Sequence, residues 1–256
     1  MTHALLQTHP TPPSAENLAE AFRDIHGLTA VDAATIARQA YGVLARNLTA
    51  ENAATVAKSL RGQGFEVTTV LESQVPRLPE PKYTRRLDIT PDALHVYDAI
   101  GRPLPVPWPQ ISLLAAGIVP RMNLVSFTTD EIKVSVGLTG HRRQEVVTQL
   151  NHKLDTSGQL VLDIILTGGS MRFQVESKEF LYKYTVDVPE LEPNQRFGEL
   201  VRRLLAHTPN VLLNRGAQQL RDNAPLPQVY ISKAAFADES LWLLWRAAQP
   251  PPNLQP

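Results

Sequence analysis

The chain has 256 residues, with 25 basic and 25 acidic side chains and no cysteine. That length suits one large or two ordinary domains. The zero net charge removes any global attraction to nucleic acid or anionic lipid, and the missing thiols exclude disulfides, zinc-thiolate sites, iron–sulfur clusters and cysteine nucleophiles.

Residues 3–9 read as a short strand, closed off by Pro10, Pro12 and Pro13. Ser14 is placed to cap a helix whose Leu18, Ala21, Phe22 and Ile25 share one face, and Gly27 stops it. Thr29 starts a second helix, with Asp32 at the third helical position as a weaker form of the capping box and a buried stripe of Ala33, Ile36, Ala37 and Ala40. Residues 41–48 read as a strand. Thr49 and Glu51 open a third helix, by a cap and by a negative charge at the positive end of its dipole; Val56, Ala57 and Leu60 face inward until Gly62 and Gly64 end it. Residues 65–71 read as another strand. The predicted order is strand, helix, helix, strand, helix, strand.

Within this part, FRDIHGLTAVDAATIARQA and NLTAENAATVAKSLRGQGFEVTTV place an arginine before an Ile-x-Gly-Leu turn, then an alanine-rich helix, a Thr-capped helix, a glycine and a strand. The pattern resembles the C-terminal domain of the bacterial ribosomal stalk protein and implies a small α/β domain over residues 1–72. That family engages translation factors through lysines near the Gly-Leu turn and on the helix after it. Here the helix offers Val31, Asp32 and Thr35, with Arg38 its only cation, so the resemblance carries a fold and no functional residue.

Residues 73–82, SQVPRLPEPK, are proline-rich and without periodicity, and read as a semi-rigid linker with a domain boundary near residue 78. The clearest periodicity lies in residues 83–119. Leu87 and Ile89 alternate with Arg86, Asp88 and Thr90, and Leu94 and Val96 with His95 and Tyr97, the pattern of half-buried strands. Thr90-Pro91-Asp92-Ala93 joins them as a hairpin turn. Pro103, Pro105, Pro107 and Pro109 recur at every second position, which predicts a strand that is an edge or has its proline side turned from its neighbour. Trp108 is expected in an apolar interior, and residues 111–119 as a buried strand or a short helix.

Strands are predicted at residues 123–128 and 131–138, and the polar stretch 141–158 as an exposed crossing loop. Two further strands, residues 159–167 and 171–177, flank the Gly168-Gly169-Ser170 turn. Asn194 is expected to cap a helix in which Phe197, Leu200, Val201, Leu204 and Leu205 recur at three- and four-residue spacing. Strands, a crossing segment, more strands and a late amphipathic helix, with the element Val106-Pro107-Trp108 followed by Ile111, resemble the pleckstrin-homology-like barrel. Some members of that family bind phosphoinositides through basic residues between the first two strands. At that place this chain has Thr90-Pro91-Asp92-Ala93, so the resemblance implies no inositol-lipid site. A helical remnant at residues 210–221 and a last helix at residues 233–248 complete the chain; Phe236, Leu241, Leu244, Trp245 and Ala248 make one face of that helix, and Trp242 and Leu243 fall off it.

The fold class expected is therefore α+β: a small α/β domain (1–72), a linker (73–82), a mostly antiparallel β half-barrel closed by an amphipathic helix (83–223), and a C-terminal helix and tail (224–256). No H-E-x-x-H, G-x-S-x-G or full phosphate-loop pattern occurs, and turn or strand roles account for Asp88, Asp92 and Asp98, so no catalytic residue, metal ligand or cofactor is assigned. The candidate contact residues are His141, Arg142 and Arg143, with His152 and Lys153 near them, as a cationic patch, and Trp242 and Trp245 as interface anchors or as core. Arg196, Arg202 and Arg203 read as a solvated face. No run of about 18 apolar residues spans a bilayer and no leader pattern is present, so a cytoplasmic location is expected. The functional expectation is a non-enzymatic interaction or adaptor protein with a protein partner, and homo-oligomerisation through the C-terminal helix. Its alternatives are an enzyme with a site in the interdomain groove and weak nucleic-acid binding through residues 141–153.

Overall fold

Ser14, Thr29 and Thr49 each accept a hydrogen bond from the backbone N–H three residues on, at 3.2 Å in all three cases, and a helix starts after each. Asn17 and Asp32 return the bond to the cap and complete a capping box. The computed structural model describes residues 1–9, 11–23, 25, 29–136, 142–186, 188 and 190–249, and the side chains of these apart from residues 39 and 122–156. Its N-terminal elements are β1 (His3–Gln7), α1 (Ala15–Phe22), α2 (Ala30–Gln39), β2 (Val43–Leu48), α3 (Ala50–Gly62) and β3 (Val67–Leu71), in the order the sequence predicts. β1 lies between β2 and β3 and is antiparallel to both. Leu5, Leu18, Phe22, Leu44, Val56 and Leu60 meet in one core between this sheet and the helices.

The β-rich part contains β4 (Lys82–Tyr83), β5 (Leu87–Ile89), β6 (Ala93–Tyr97), β7 (Pro103–Pro107), β8 (Ile111–Val136), β9 (Arg142–Leu166) and β10 (Arg172–Glu176). After it come α4 (Pro193–His207), β11 (Leu212–Leu213), α5 (Arg215–Arg221) and α6 (Lys233–Ala247). The fold is α+β. One sheet runs β5-β6-β7 and is antiparallel; the other runs β11-β8-β9-β10-β4, with β11 parallel to β8, β10 antiparallel to β9 and β4 parallel to β10. β7 is an edge, as its prolines predict. Pro103, Pro105 and Pro107 face Tyr97, His95 and Ala93; since prolines have no N–H to give, the bonded pairs are those of Leu104 with Val96 and Val106 with Leu94.

Both sheets contribute to one core, where Leu94, Val106, Leu114, Leu162, Ile164, Phe173 and Val175 meet Phe197, Leu200, Val201 and Leu204 of α4. Trp108 belongs to this core, 7% exposed. Its Nε1–H donates to Thr90 O at 3.1 Å and its ring stacks on His207, centroids 4.5 Å apart. Trp108→Ala is expected to cost about 3–5 kcal/mol in chemical denaturation, as for other large-to-small core substitutions.

Several expectations are corrected. Residues 111–136 form one strand, where a strand or short helix at 111–119 and separate strands at 123–128 and 131–138 were expected, and the stretch read as a crossing loop from residue 141 is strand β9 from Arg142 onward. Ladder bonds are made by the backbone, so a strand paired along its length forms without an apolar period of two. α4 is capped by Glu192 and opened by Pro193 rather than capped by Asn194, because Gln195 reaches back to the Glu192 N–H at 3.0 Å. The remnant at residues 210–221 resolves into β11 and α5, capped by Asn214.

The proline-rich stretch 73–82 packs onto the protein: Val75 is buried and Leu78 packs against the core cluster that contains Leu113, Val161 and Phe236. No compact unit ends near residue 78. The units are Met1–Val119 with Gln159–Pro256, and Pro120–Gly158, which contains the remaining lengths of β8 and β9. Within the first, α6 packs against both the N-terminal and the β-rich parts. Phe236 joins the core on the second face of the five-stranded sheet, and Trp242 joins Leu6 and Val43 of the N-terminal sheet.

Candidate functional site

The chain turns a corner between β4 and β5, and short-range bonds fix the turn. The Thr84 side chain is buried and its hydroxyl lies 2.9 Å from both Arg86 O and Tyr97 O. Leu181 N–H donates to Arg85 O at 2.8 Å, which brings the segment after β10 under the corner. With its backbone held from both sides, Arg86 presents its guanidinium between two tyrosines. The Tyr97 and Tyr184 ring centroids each lie 4.0 Å from Cζ. Arg86 Nη2 donates to Asp88 Oδ2 at 2.7 Å and Nε to Oδ1 at 3.2 Å, while Tyr97 Oη–H donates to the same Oδ2 at 2.7 Å.

A cleft of about 770 Å³ opens over this cluster, lined by Tyr83, Arg85, Arg86, Tyr97, Gln174, Glu179, Leu181 and Tyr184 among others. Tyr83, Leu181 and Tyr184 are 57%, 45% and 42% exposed, a concentration of large apolar surface around one concavity. Gln174 is held from behind: its Nε2–H donates to Asp163 Oδ1 at 2.6 Å, and Arg172 Nη2 reaches Asp163 Oδ2 at 2.7 Å. Asp163 is fully buried; burial pushes its carboxyl pKa up, against the charge of Arg172.

The electrostatics of the lining are settled internally. Arg85 pairs with Glu179 at 2.7 Å, Arg86 with Asp88 at 2.7 Å and Asp98 with Arg102 at 2.8 Å. The Arg86 hydrogen bond holds the Asp88 carboxyl below the usual carboxylate range, and the bond to Asp88 raises the Tyr97 phenol. Backbone N–H donation from Arg102, then its side chain, lowers Asp98. Each of these shifts fixes the group in the ionisation state it already has at neutral pH, which is the opposite of the tuning an acid–base catalyst needs. Among the described residues, no trio of His, Asp or Glu is grouped to hold a metal ion, and no helix is long and apolar enough to cross a membrane.

No family model, curated protein or solved structure matches this chain. The geometry of the cleft therefore carries the functional argument alone.

Of the contact residues expected from sequence, Trp242 and Trp245 are not in the lining of this cleft. His141 falls outside the described residues, and so do the side chains of Arg142, Arg143, His152 and Lys153, which β9 carries. Trp242, placed off the apolar face of the last helix by its spacing, is 2% exposed, and Trp245 is half-buried beside it. Trp242 Nε1–H donates to Gln7 O at 2.7 Å, so its surface and its one polar group are spent inside the chain. Asp88, read as a strand or turn aspartate, is the carboxylate that orients Arg86. Three of the six tyrosines of the chain, Tyr83, Tyr97 and Tyr184, line the cleft, and sequence reasoning did not single them out.

Proposed function

We propose that this protein is a non-enzymatic interaction or adaptor protein that receives a segment of a partner protein in the Tyr83–Tyr184 cleft. The observation that carries the reading is the rim: two tyrosines and a leucine held open to solvent around a cleft whose arginine is locked by Asp88 and two aromatic rings. Tyrosine and arginine are the side chains enriched at binding hot spots, and rigid ones lose little entropy on contact. The half-barrel reading of the β-rich part is supported by the way its two sheets and α4 share one core, and it gives the cleft a stiff wall.

The test is recovery of partners from native lysate with the intact chain and with the Tyr83→Ala/Leu181→Ala/Tyr184→Ala variant, at matched thermal stability. A partner retained by the first and weakened by about tenfold or more in the second is expected, because a truncated hot spot costs about 2 kcal/mol. Equal recovery by both proteins overturns the reading.

A further inference from the structure

β4 is the last strand of the five-stranded sheet, and one side of it has no strand neighbour among the described residues. Its register with β10 pairs Tyr83 with Gln174, and Thr84 N–H donates to Gln174 O at 3.0 Å. In a parallel ladder that pattern makes Gln174 the residue bonding to both flanks, Lys82 and Thr84, so the N–H and C=O of Tyr83 point away from β10. No hydrogen bond reaches either group among the described residues. The same residue carries the most exposed aromatic ring on the rim. An open main-chain donor and acceptor therefore stand together with the tyrosine and leucine surface of the cleft.

Two further observations define what fits there. Arg85, Arg86, Asp98 and Glu179 of the cleft lining hold ion pairs of 2.8 Å or less. An uncharged occupant leaves these pairs intact, whereas a charged one competes with them. Pro79 and Pro81 precede the strand and supply no N–H, which keeps the open edge short and limits self-pairing along it.

We propose that the edge of β4 takes an extended, uncharged segment of a partner protein as an added strand, bonded through its main chain to the N–H and C=O of Tyr83 and resting its side chains on Leu181 and Tyr184. This rests on the cleft being the partner site. It adds the mode of binding and the chemistry of the occupant. Main-chain pairing supplies the affinity and the rim selects apolar side chains, the division of labour of strand addition.

The experiment is selection of a random displayed-peptide library on the full chain, followed by anisotropy titration of the selected peptides. The expected peptides are uncharged and rich in β-branched and aromatic residues, with affinities that change less than about threefold between about 0.05 and about 0.5 M salt. Tyr83→Ala removes the ring and keeps the N–H, and Tyr83→Pro removes both. Tyr83→Pro is expected to bind at least about tenfold more weakly than Tyr83→Ala. If Tyr83→Pro does not fold, methylating each backbone nitrogen of the peptide in turn gives the same answer on the unmodified protein, with loss of binding expected at the paired position. Peptides that need Tyr184 but tolerate both Tyr83→Pro and every N-methylation overturn strand addition and leave the cleft reading standing. Selected peptides dominated by acidic or basic residues, with steep salt dependence, also overturn it. No selectable peptide, or peptides indifferent to Tyr83→Ala/Leu181→Ala/Tyr184→Ala, overturn both.

Discussion

Trp242→Ala is expected to lower stability by about 3–5 kcal/mol, read as a drop in the denaturation midpoint at unchanged slope. The indole fills the joint between α6 and the N-terminal sheet, with Leu6 and Val43 around it and the Tyr41 ring edge-on at a centroid distance of 5.6 Å. The joint is shaped for this ring. A Cβ at Gly42 would lie 2.5 Å from Trp242 Cγ, and the φ of +75° there is one that side-chain-bearing residues rarely adopt. Trp242→Phe keeps most of the apolar contact and loses the bond to Gln7 O, so it is expected to cost about 1–2 kcal/mol. A loss below about 1 kcal/mol for the alanine variant would mean that α6 does not dock here, and would return Trp242 to the list of partner contacts.

Glu239→Ala is expected to cost about 3 kcal/mol. The Glu239 side chain is 2% exposed and accepts from Arg215 N–H at 2.7 Å, from Arg215 Nε and Nη2 at 3.0 Å each, and from Tyr230 Oη–H at 2.8 Å. Asn214 Nδ2 donates to the Tyr230 oxygen at 2.9 Å, and the Arg215 guanidinium lies 3.6 Å over the Tyr41 ring. Burial, followed by the charge of Glu239, raises the Tyr230 phenol, so it stays protonated and remains a donor. Removing the carboxylate leaves four buried or half-buried donors, three on Arg215 and one on Tyr230, without that acceptor. The expected loss falls at the low end for a broken buried pair because Arg215 keeps 33% of its side chain in water and can turn outward. Glu239→Gln, which retains the volume but not the charge, is expected to fall between the alanine variant and the unmodified protein in the same denaturation assay.

Both substitutions act at the seam joining α6 to the rest of the chain, and that seam shows why part of the fold was legible and part was not. The capped helices α1, α2 and α3 were readable because a cap is a bond between residues three apart. The β5–β6 hairpin was readable because its strands are neighbours joined by a turn with proline and aspartate in it. The face of α6 was not. A single apolar stripe was expected, with Trp242 outside it, but the helix is covered by two cores at once, and a helix packed on two sides buries residues that a one-sided stripe leaves out. The part of β9 before residue 159 was missed for a related reason: β9 pairs with β8 and β10, and main-chain bonds leave no mark on the side-chain pattern.

The cleft depended on tertiary structure most of all. Its tyrosines, its arginines and its leucine come from the β4–β5 corner, β6 and the segment after β10. Nothing in the spacing of Tyr97 and Tyr184 announces that they share one guanidinium. By itself the sequence determined the α+β class, the caps and turns, the proline-marked edge of β7 and the burial of Trp108, since each follows from residues close in the chain or from the hydrophobicity of one side chain. Tertiary structure alone decided the anchoring of Trp242 on Gln7 across 235 residues, the packing of the proline-rich stretch and the assembly of the cleft. These are contacts between distant residues, chosen by the total burial and pairing of the folded chain, and no local propensity encodes them.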